Sequence, residues 1–295
     1  MKNAPLRHRA EFGAFLAVKG LLRALPHGRS RALGAALGGA LFRLDRRHRA
    51  VVRRNLRLAF PALAESERET LALATFRHAG AAFADAISIQ RFDRSELCRR
   101  VDSGGWENLR RAEAAGRGVL VMGAHLGNWE VVALTLGAQH GPLQAVGRPA
   151  DNPWFDREMQ RLRTRFGNVS LAKHGSVRRM LRVLREGGRV GMLIDQRVKP
   201  HEGIAVPFFG TPCWTSPLLA RLALRTGAPI VPAFGDHRPD GRYAVRFLAP
   251  ILPEGVESDV AVFGLTVRCL DVVTAAIRER PASWFWLHER WKGFG

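Results

Sequence analysis

The stretch Gly118-Val-Leu-Val-Met-Gly-Ala-His125-Leu-Gly-Asn128-Trp-Glu130 constrains the fold of this chain more than any other. Val119 to Met122 is apolar on both faces and partly β-branched, the pattern of a strand buried inside a sheet. Glycine and alanine then break the run. From Trp129 to Leu136 the pattern is that of a helix start, with Asn128 in place to cap it. Strand, turn and helix in that order put His125 at the C-terminal mouth of a strand and Glu130 in the first turn of the following helix. In open α/β sheets that mouth is where ligands bind.

A neutral imidazole takes a proton from a hydroxyl near neutral pH when a second group fixes its tautomer and supports the imidazolium that forms. A carboxylate does both, which makes His125 with Glu130 a candidate catalytic pair. The bland alternative is a loop histidine followed by an acid that favours the helix dipole. What lies around the pair decides between them.

Further along, Gln144 to Arg148 reads as a second strand ending in an arginine, and Asn152-Pro153 starts a helix carrying Arg157, Arg161, Arg163 and Arg165. Positions 157, 161 and 165 share one helical face, usually a solvated one, and Arg163 points away from it, free to reach into a cleft. A helix at 181–186 stops at Gly187-Gly188, and Val190 to Ile194 is a third buried-type strand that delivers Asp195 and Gln196 at its end. Asp195 should then face the same mouth as His125. Gly203 to Gly210 reads as a loop with adjacent Phe208 and Phe209; strands follow at 229–234 and 243–248 around a Pro239-Asp-Gly turn, then a long helix at 260–280. Glu65 to Ile89 reads as one amphipathic helix, with Ser66 capping it and Glu69 closing a capping box. The tail from Trp284 to Lys292 is aromatic and basic, suited to core packing or to a lid.

Charge is the unusual quantity. The chain has 46 basic and 26 acidic side chains, a net +20, which predicts attraction to nucleic acid, anionic lipid or an acidic protein. Residues 1–54 hold thirteen of the basic residues against only Glu11 and Asp45. They bracket apolar, Ala-, Leu- and Gly-rich helices, the pattern of a helical hairpin lying on or dipping into an anionic bilayer. Gly34, Gly38 and Gly39 would let such helices pack closely. Nucleic acid is the competing partner, against which stands the lack of interleaved aromatics. No run reaches the roughly 18 uninterrupted apolar residues of a spanning helix. Cys98, Cys213 and Cys269 lie far apart, in no metal-ligand spacing, and read as reduced thiols. The expected architecture is α/β, a mixed sheet flanked by helices, with a membrane-associated helical segment at 1–54 and the remaining domain at 55–295.

The order of motifs carries a resemblance. His125-Leu-Gly-Asn-Trp-Glu130, Arg148-Pro with Asn152-Pro153, Arg163, Asp195-Gln196, Gly203 with Val206-Pro-Phe-Phe-Gly210, and His288-Glu-Arg-Trp-Lys292 resemble the bacterial lipid A late acyltransferases, within the lysophospholipid acyltransferase superfamily. It covers nearly the whole chain, Arg54-Asn55 and Phe60-Pro61 included. Glu289 departs from the pattern, standing where a basic residue is common. The resemblance implies an O-acyltransferase that moves a fatty acyl group from acyl carrier protein or coenzyme A to a hydroxyl of a membrane lipid, with no metal or other cofactor and no nucleic-acid partner. It implies a place at the cytoplasmic face of the bacterial inner membrane. His125 and Glu130 match its catalytic dyad, and Arg163 and Asp195 its further essential polar positions. Arg148 and Gln196 match site-lining positions, and Asn128 and Arg290 stand with them as substrate-binding or essential polar residues, the role of Arg290 left open by the departure at Glu289. A lipid A precursor is the first-choice acceptor, with an ornithine lipid or a mannosylated phosphoinositide as alternatives. Outside the resemblance stand hydrolysis by the same dyad and a non-catalytic basic protein that binds membranes or nucleic acid.

Overall fold

The computed structural model describes residues 5–147, 150–172 and 175–294. Four helices come first, α1 (Leu6–Ala24), α2 (His27–Leu44), α3 (Arg46–Ala59) and α4 (Glu65–Ser88). Next are α5 (Arg94–Arg100), β1 (Val101–Gly104), α6 (Trp106–Ala114), β2 (Val119–Gly123) and α7 (Trp129–Gln139). The middle of the chain forms β3 (Gln144–Gly147), α8 (Pro153–Arg163), β4 (Val169–Ala172), α9 (Ser176–Arg185) and β5 (Arg189–Leu193). The last third holds β6 (Ile204–Phe208), β7 (Thr211–Thr215), α10 (Leu218–Thr226), β8 (Ile230–His237), β9 (Tyr243–Phe247) and α11 (Asp259–Glu279).

Seven strands make one mixed sheet in the order β1-β9-β8-β2-β5-β3-β4, with β9 antiparallel to β8 and the other pairings parallel. Helices cover both faces, as a mostly parallel sheet requires. The run that opens the key stretch shows why: Leu120 and Met122 of β2 enter one hydrophobic core, Val119 and Val121 the other. β2 and β5 pair in register, Gly123 opposite Leu193, so the residues that follow each strand emerge side by side.

Several expectations change. Residues 203–210 are not a loop, since β6 and β7 form an antiparallel ribbon. Pro207 and Pro212 face each other in it, tolerated because both strands are edges. The cap of α4 is Ala64, whose N–H donates to Glu67 Oε2 at 2.8 Å. Ser66 and Glu69 do not form that box; Glu69 instead accepts from Arg53 Nε at 2.7 Å. The helix expected at 181–186 begins at Ser176. The boundary drawn at 54 falls inside α3, whose Val52, Asn55 and Leu56 are fully buried. Asn55 Nδ2 donates to the carbonyls of Trp286 and His288 at 2.8 Å each, tying α3 to the far end of the chain. Among the described residues, α11 alone is long and apolar enough to cross a membrane, and its Val262, Leu265, Cys269, Leu270 and Val273 are buried in the core.

The α2 and α4 backbones touch where the glycine spacing led one to expect close packing. A Cβ on Gly38 would land on the Phe76 carbonyl oxygen, and one on Gly34 on that of Gly80. Gly38→Ala therefore overpacks a rigid contact and should cost about 1–3 kcal/mol. Gly20 of α1 has nothing within 4 Å of its would-be Cβ, and Gly20→Ala should gain about 0.5–1 kcal/mol from helix propensity. Thermal melting of the two variants, with shifts of opposite sign, checks both.

Candidate active site

His125 emerges two residues beyond β2, in a loop held from three sides. Its backbone N–H donates to Asp195 Oδ2 at 2.9 Å, its carbonyl accepts from Phe285 N at 2.9 Å, and Leu126 bridges antiparallel to Trp284. Gly127 N donates to the Ser283 carbonyl at 2.9 Å and Asn128 N to that of Gly235 at 2.7 Å. Gly127 has φ +61° and lies against β8, where a Cβ would meet the Gly235 carbonyl and the Asp236 carboxylate; only glycine fits. Asn128 caps α7 as its position suggested, Oδ1 accepting from Val131 N at 3.2 Å.

The ring of His125 is bonded to a different acid from the one expected. Nδ1 lies 2.9 Å from Asp195 Oδ1, while among the described residues no hydrogen bond joins His125 to Glu130. The fully buried Asp195 also accepts from Trp284 Nε1 at 2.7 Å. Burial pushes its carboxyl up, but the charge and hydrogen bonds of His125 and the Trp284 donor outweigh this and bring it down to about 2. It is thus an ionised acceptor, so the proton between the two residues sits on His125 Nδ1. Among the described residues Nε2 makes no hydrogen bond, so it is the ring nitrogen left to face a substrate.

Glu130 is occupied elsewhere. Its Oε1 accepts from Arg163 Nη2 at 2.6 Å and Nε at 3.0 Å, and from Trp129 Nε1 at 3.1 Å. Burial would lower the Arg163 guanidinium, yet the carboxylate of Glu130 holds it above its ordinary value. The helical phase that singled out Arg163 is right, but Arg165 is not on a solvated face. It lies past the end of α8 and donates to the carbonyls of Ile89 and Phe92.

Two cavities meet at this group. One of about 300 Å³ lies over the sheet, lined by Gly123, Ala145, Gly147 and Gly191 from three strands, by Leu143, Met192 and Leu193, and by Gln196. The other, about 230 Å³, is bounded by Ala79, Ala82, Phe83 and Ala86 of α4 with Trp284 and Phe285. His125, Trp129, Glu130 and Arg163 line both. The cavities are mainly apolar, and among the described residues the charged side chains lie where they join.

Of the expected site residues, the structure brings His125, Glu130, Arg163, Asp195 and Gln196 together. Asn128 lines the second cavity. Arg148 lies outside the described residues. Arg290 does not reach the substrate space: it lines neither cavity, is fully buried, donates to Thr215 Oγ1 at 2.7 Å and to the Trp214 carbonyl at 3.1 Å, and stands over the Phe208 ring. It ties the chain end to the β6–β7 ribbon. The aromatic tail is core, with Trp284, Trp286 and Trp291 buried together. Trp284 went unrecognised as a site residue, since a tryptophan in an aromatic run carries no pattern that names its hydrogen-bond partner.

Comparison with known proteins adds ancestry to this geometry. A sequence profile described as bacterial lipid A biosynthesis acyltransferase matches residues 2–293. The chain is 29% identical over 270 residues to the lipid A biosynthesis lauroyltransferase of Escherichia coli, covering 88% of this chain and 84% of that protein. It is 27% identical to the lipid A biosynthesis myristoyltransferase of the same organism, covering 95% and 87%. A phosphatidylinositol mannoside acyltransferase of Mycolicibacterium smegmatis is 28% identical over 210 residues, covering 70% and 67%.

Proposed function

Because this chain belongs to the bacterial lipid A biosynthesis acyltransferase family, and is an O-acyltransferase acting on lipid, we propose that it transfers a fatty acyl group from a carrier-protein thioester to a hydroxyl of a lipid A precursor, with His125 as general base and Asp195 as its orienting carboxylate. The observation that carries the reading is the 2.9 Å bond between His125 Nδ1 and Asp195 Oδ1, which leaves Nε2 without a partner among the described residues on a ring that lines both cavities.

In this reading the larger cavity takes the acyl chain of the donor and the cavity beside α4 takes hydrocarbon of the acceptor. The acceptor hydroxyl gives its proton to His125 Nε2 as its oxygen attacks the thioester carbonyl carbon. Asp195 supports the imidazolium without itself taking the proton. Collapse of the tetrahedral intermediate breaks the C–S bond, and the imidazolium returns the proton to the departing thiolate. The thioester already supplies the activation, so the chemistry asks for no resident cofactor.

The oxyanion needs donors. The N–H groups of Gly127 and Asn128 are already spent on Ser283 and Gly235, which favours Arg163. Its Nε and Nη2 grip Glu130 while Nη1 lies 3.4 Å from where a Gly147 Cβ would stand, on the wall of the larger cavity. Glu130 thereby aims Arg163 instead of handling the proton.

A place at the cytoplasmic face of the inner membrane belongs to the same proposal. Leu16 and Leu21 of α1 and Leu37, Leu41 and Leu44 of α2 are exposed beside the basic residues of these helices, as a bilayer-facing surface requires. The net charge of +20 favours an acidic carrier protein as donor and an anionic lipid as acceptor.

The test supplies the purified protein with carrier-protein or coenzyme A thioesters and, in separate arms, a lipid A precursor, an ornithine lipid or a mannosylated phosphoinositide, and reads products by mass spectrometry. Transfer to the lipid A precursor is expected, with His125→Ala about 10²- to 10⁴-fold slower. Transfer to no lipid, or free fatty acid as the sole product with acceptor present, overturns the reading.

A further inference from the structure

Trp284 lies 89 residues from Asp195 in sequence, yet its indole nitrogen makes the shortest hydrogen bond that this carboxylate accepts, 2.7 Å to Oδ2. The other two donors found among the described residues, backbone N–H and ring Nδ1, both belong to His125. Held by His125 alone, the carboxylate would move with the loop it is meant to orient. Among the described residues, Trp284 is the donor that comes from outside that loop.

The indole is itself fixed. It is buried, edge-on to Trp286 with ring centres 4.6 Å apart, and 5.6 Å from Phe208. The backbone around it is stitched to the histidine loop by the Leu126 bridge, the Phe285 N to His125 carbonyl bond and the Gly127 N to Ser283 carbonyl bond. A tryptophan N–H only donates, so it meets Oδ2 only while that oxygen is a bare acceptor.

We propose that Trp284 is a positioning residue of the acyl-transfer site: its indole N–H locks the Asp195 carboxylate in the one rotamer that keeps His125 protonated on Nδ1 and basic on Nε2. This rests on the reading of His125 as the base. Trp284 acts through Asp195, as the outer partners of an oriented histidine do elsewhere.

The experiment compares Trp284→Phe with Trp286→Phe in the full-length protein. Trp286 is equally buried in the same aromatic cluster, but its Nε1 donates to the Pro281 carbonyl at 2.6 Å. Two readouts are taken, steady-state kinetics and the ¹⁵N spectrum of labelled histidine, which reports the His125 tautomer without turnover. Trp284→Phe should lower kcat about 10- to 100-fold with KM for the donor nearly unchanged, and should populate the Nε2-protonated tautomer. Trp286→Phe should keep the wild-type tautomer and lose activity only with folded fraction. If Trp284→Phe does not fold, 3-benzothienylalanine at 284 keeps the bicycle, puts sulfur in place of N–H, and gives the same comparison. The proposal is overturned if loss of the N–H leaves the tautomer as in wild type, or if Trp286→Phe shifts it equally. A tautomer contrast in a protein that transfers no acyl chain would sink the catalytic reading and leave the positioning role standing.

Discussion

Asp195→Asn gives a folded protein whose acyl transfer is about 10³- to 10⁴-fold slower, measured as kcat under saturating donor. The reason is the direction of three hydrogen bonds. Oδ2 accepts from His125 N and from Trp284 Nε1, so the amide oxygen of asparagine takes that position. Its NH₂ group then occupies the place of Oδ1, facing His125 Nδ1. Two donors cannot face each other, so Nδ1 gives up its proton and Nε2 carries one. The nitrogen that should accept the hydroxyl proton is blocked, although no atom has moved far. Stability carries a matching mark. The Asp195 carboxyl is lowered from 3.8 to about 2 in the folded chain, so its contribution, about 2 kcal/mol, is full above pH 4 and lost as pH falls toward 2. Melting curves between pH 7 and pH 3 should show that acid-side loss in the wild type and a smaller one in Asp195→Asn. Wild-type activity in Asp195→Asn, with His125 still protonated on Nδ1, would refute the assignment.

The chain discloses its strands more readily than its partnerships. β2 and β5 are legible because both are apolar on two faces, and a strand buried on both sides has no polar face to hide. Once both are read as parallel strands, His125 and Asp195 fall at the same mouth. That they bond to each other depends on β5 being the neighbour of β2, a non-local pairing that no window of sequence encodes. Glu130 looked the better partner because it is near in sequence. The helix of which it forms the first turn instead carries its carboxylate to Arg163. The β6–β7 ribbon was hidden by Gly203, Pro207 and Gly210, which punctuate a loop and an edge ribbon alike. β1 and β4 are four-residue strands at the two edges of the sheet, too short to show a period. Arg290 reads as a site residue from its place in the order of motifs, and only the fold brings it the Thr215 hydroxyl and the Trp214 carbonyl that make burial tolerable.

Arg163→Met should lower kcat about 10²- to 10³-fold, the loss that follows removal of one oxyanion donor. Glu130→Gln should lower it about tenfold, because the amide oxygen can keep the place of Oε1 but the negative charge is gone and an NH₂ group stands where Oε2 accepted from Arg163 Nε at 3.2 Å. Both side chains are largely buried, at 26% and 8% exposure, so removing either charge also strips a buried ion pair. Rates are therefore compared per folded molecule. The decisive measurement is the double variant. If Glu130 acts only by aiming Arg163, Glu130→Gln adds nothing once Arg163 is methionine, and the double variant is as slow as Arg163→Met alone. If Glu130 instead serves His125 directly, the two losses multiply and Glu130→Gln by itself disturbs the histidine tautomer. The geometry favours the first outcome: Glu130 Oε1 already accepts from three donors, two on Arg163 and one on Trp129, while the imidazole proton is held by Asp195.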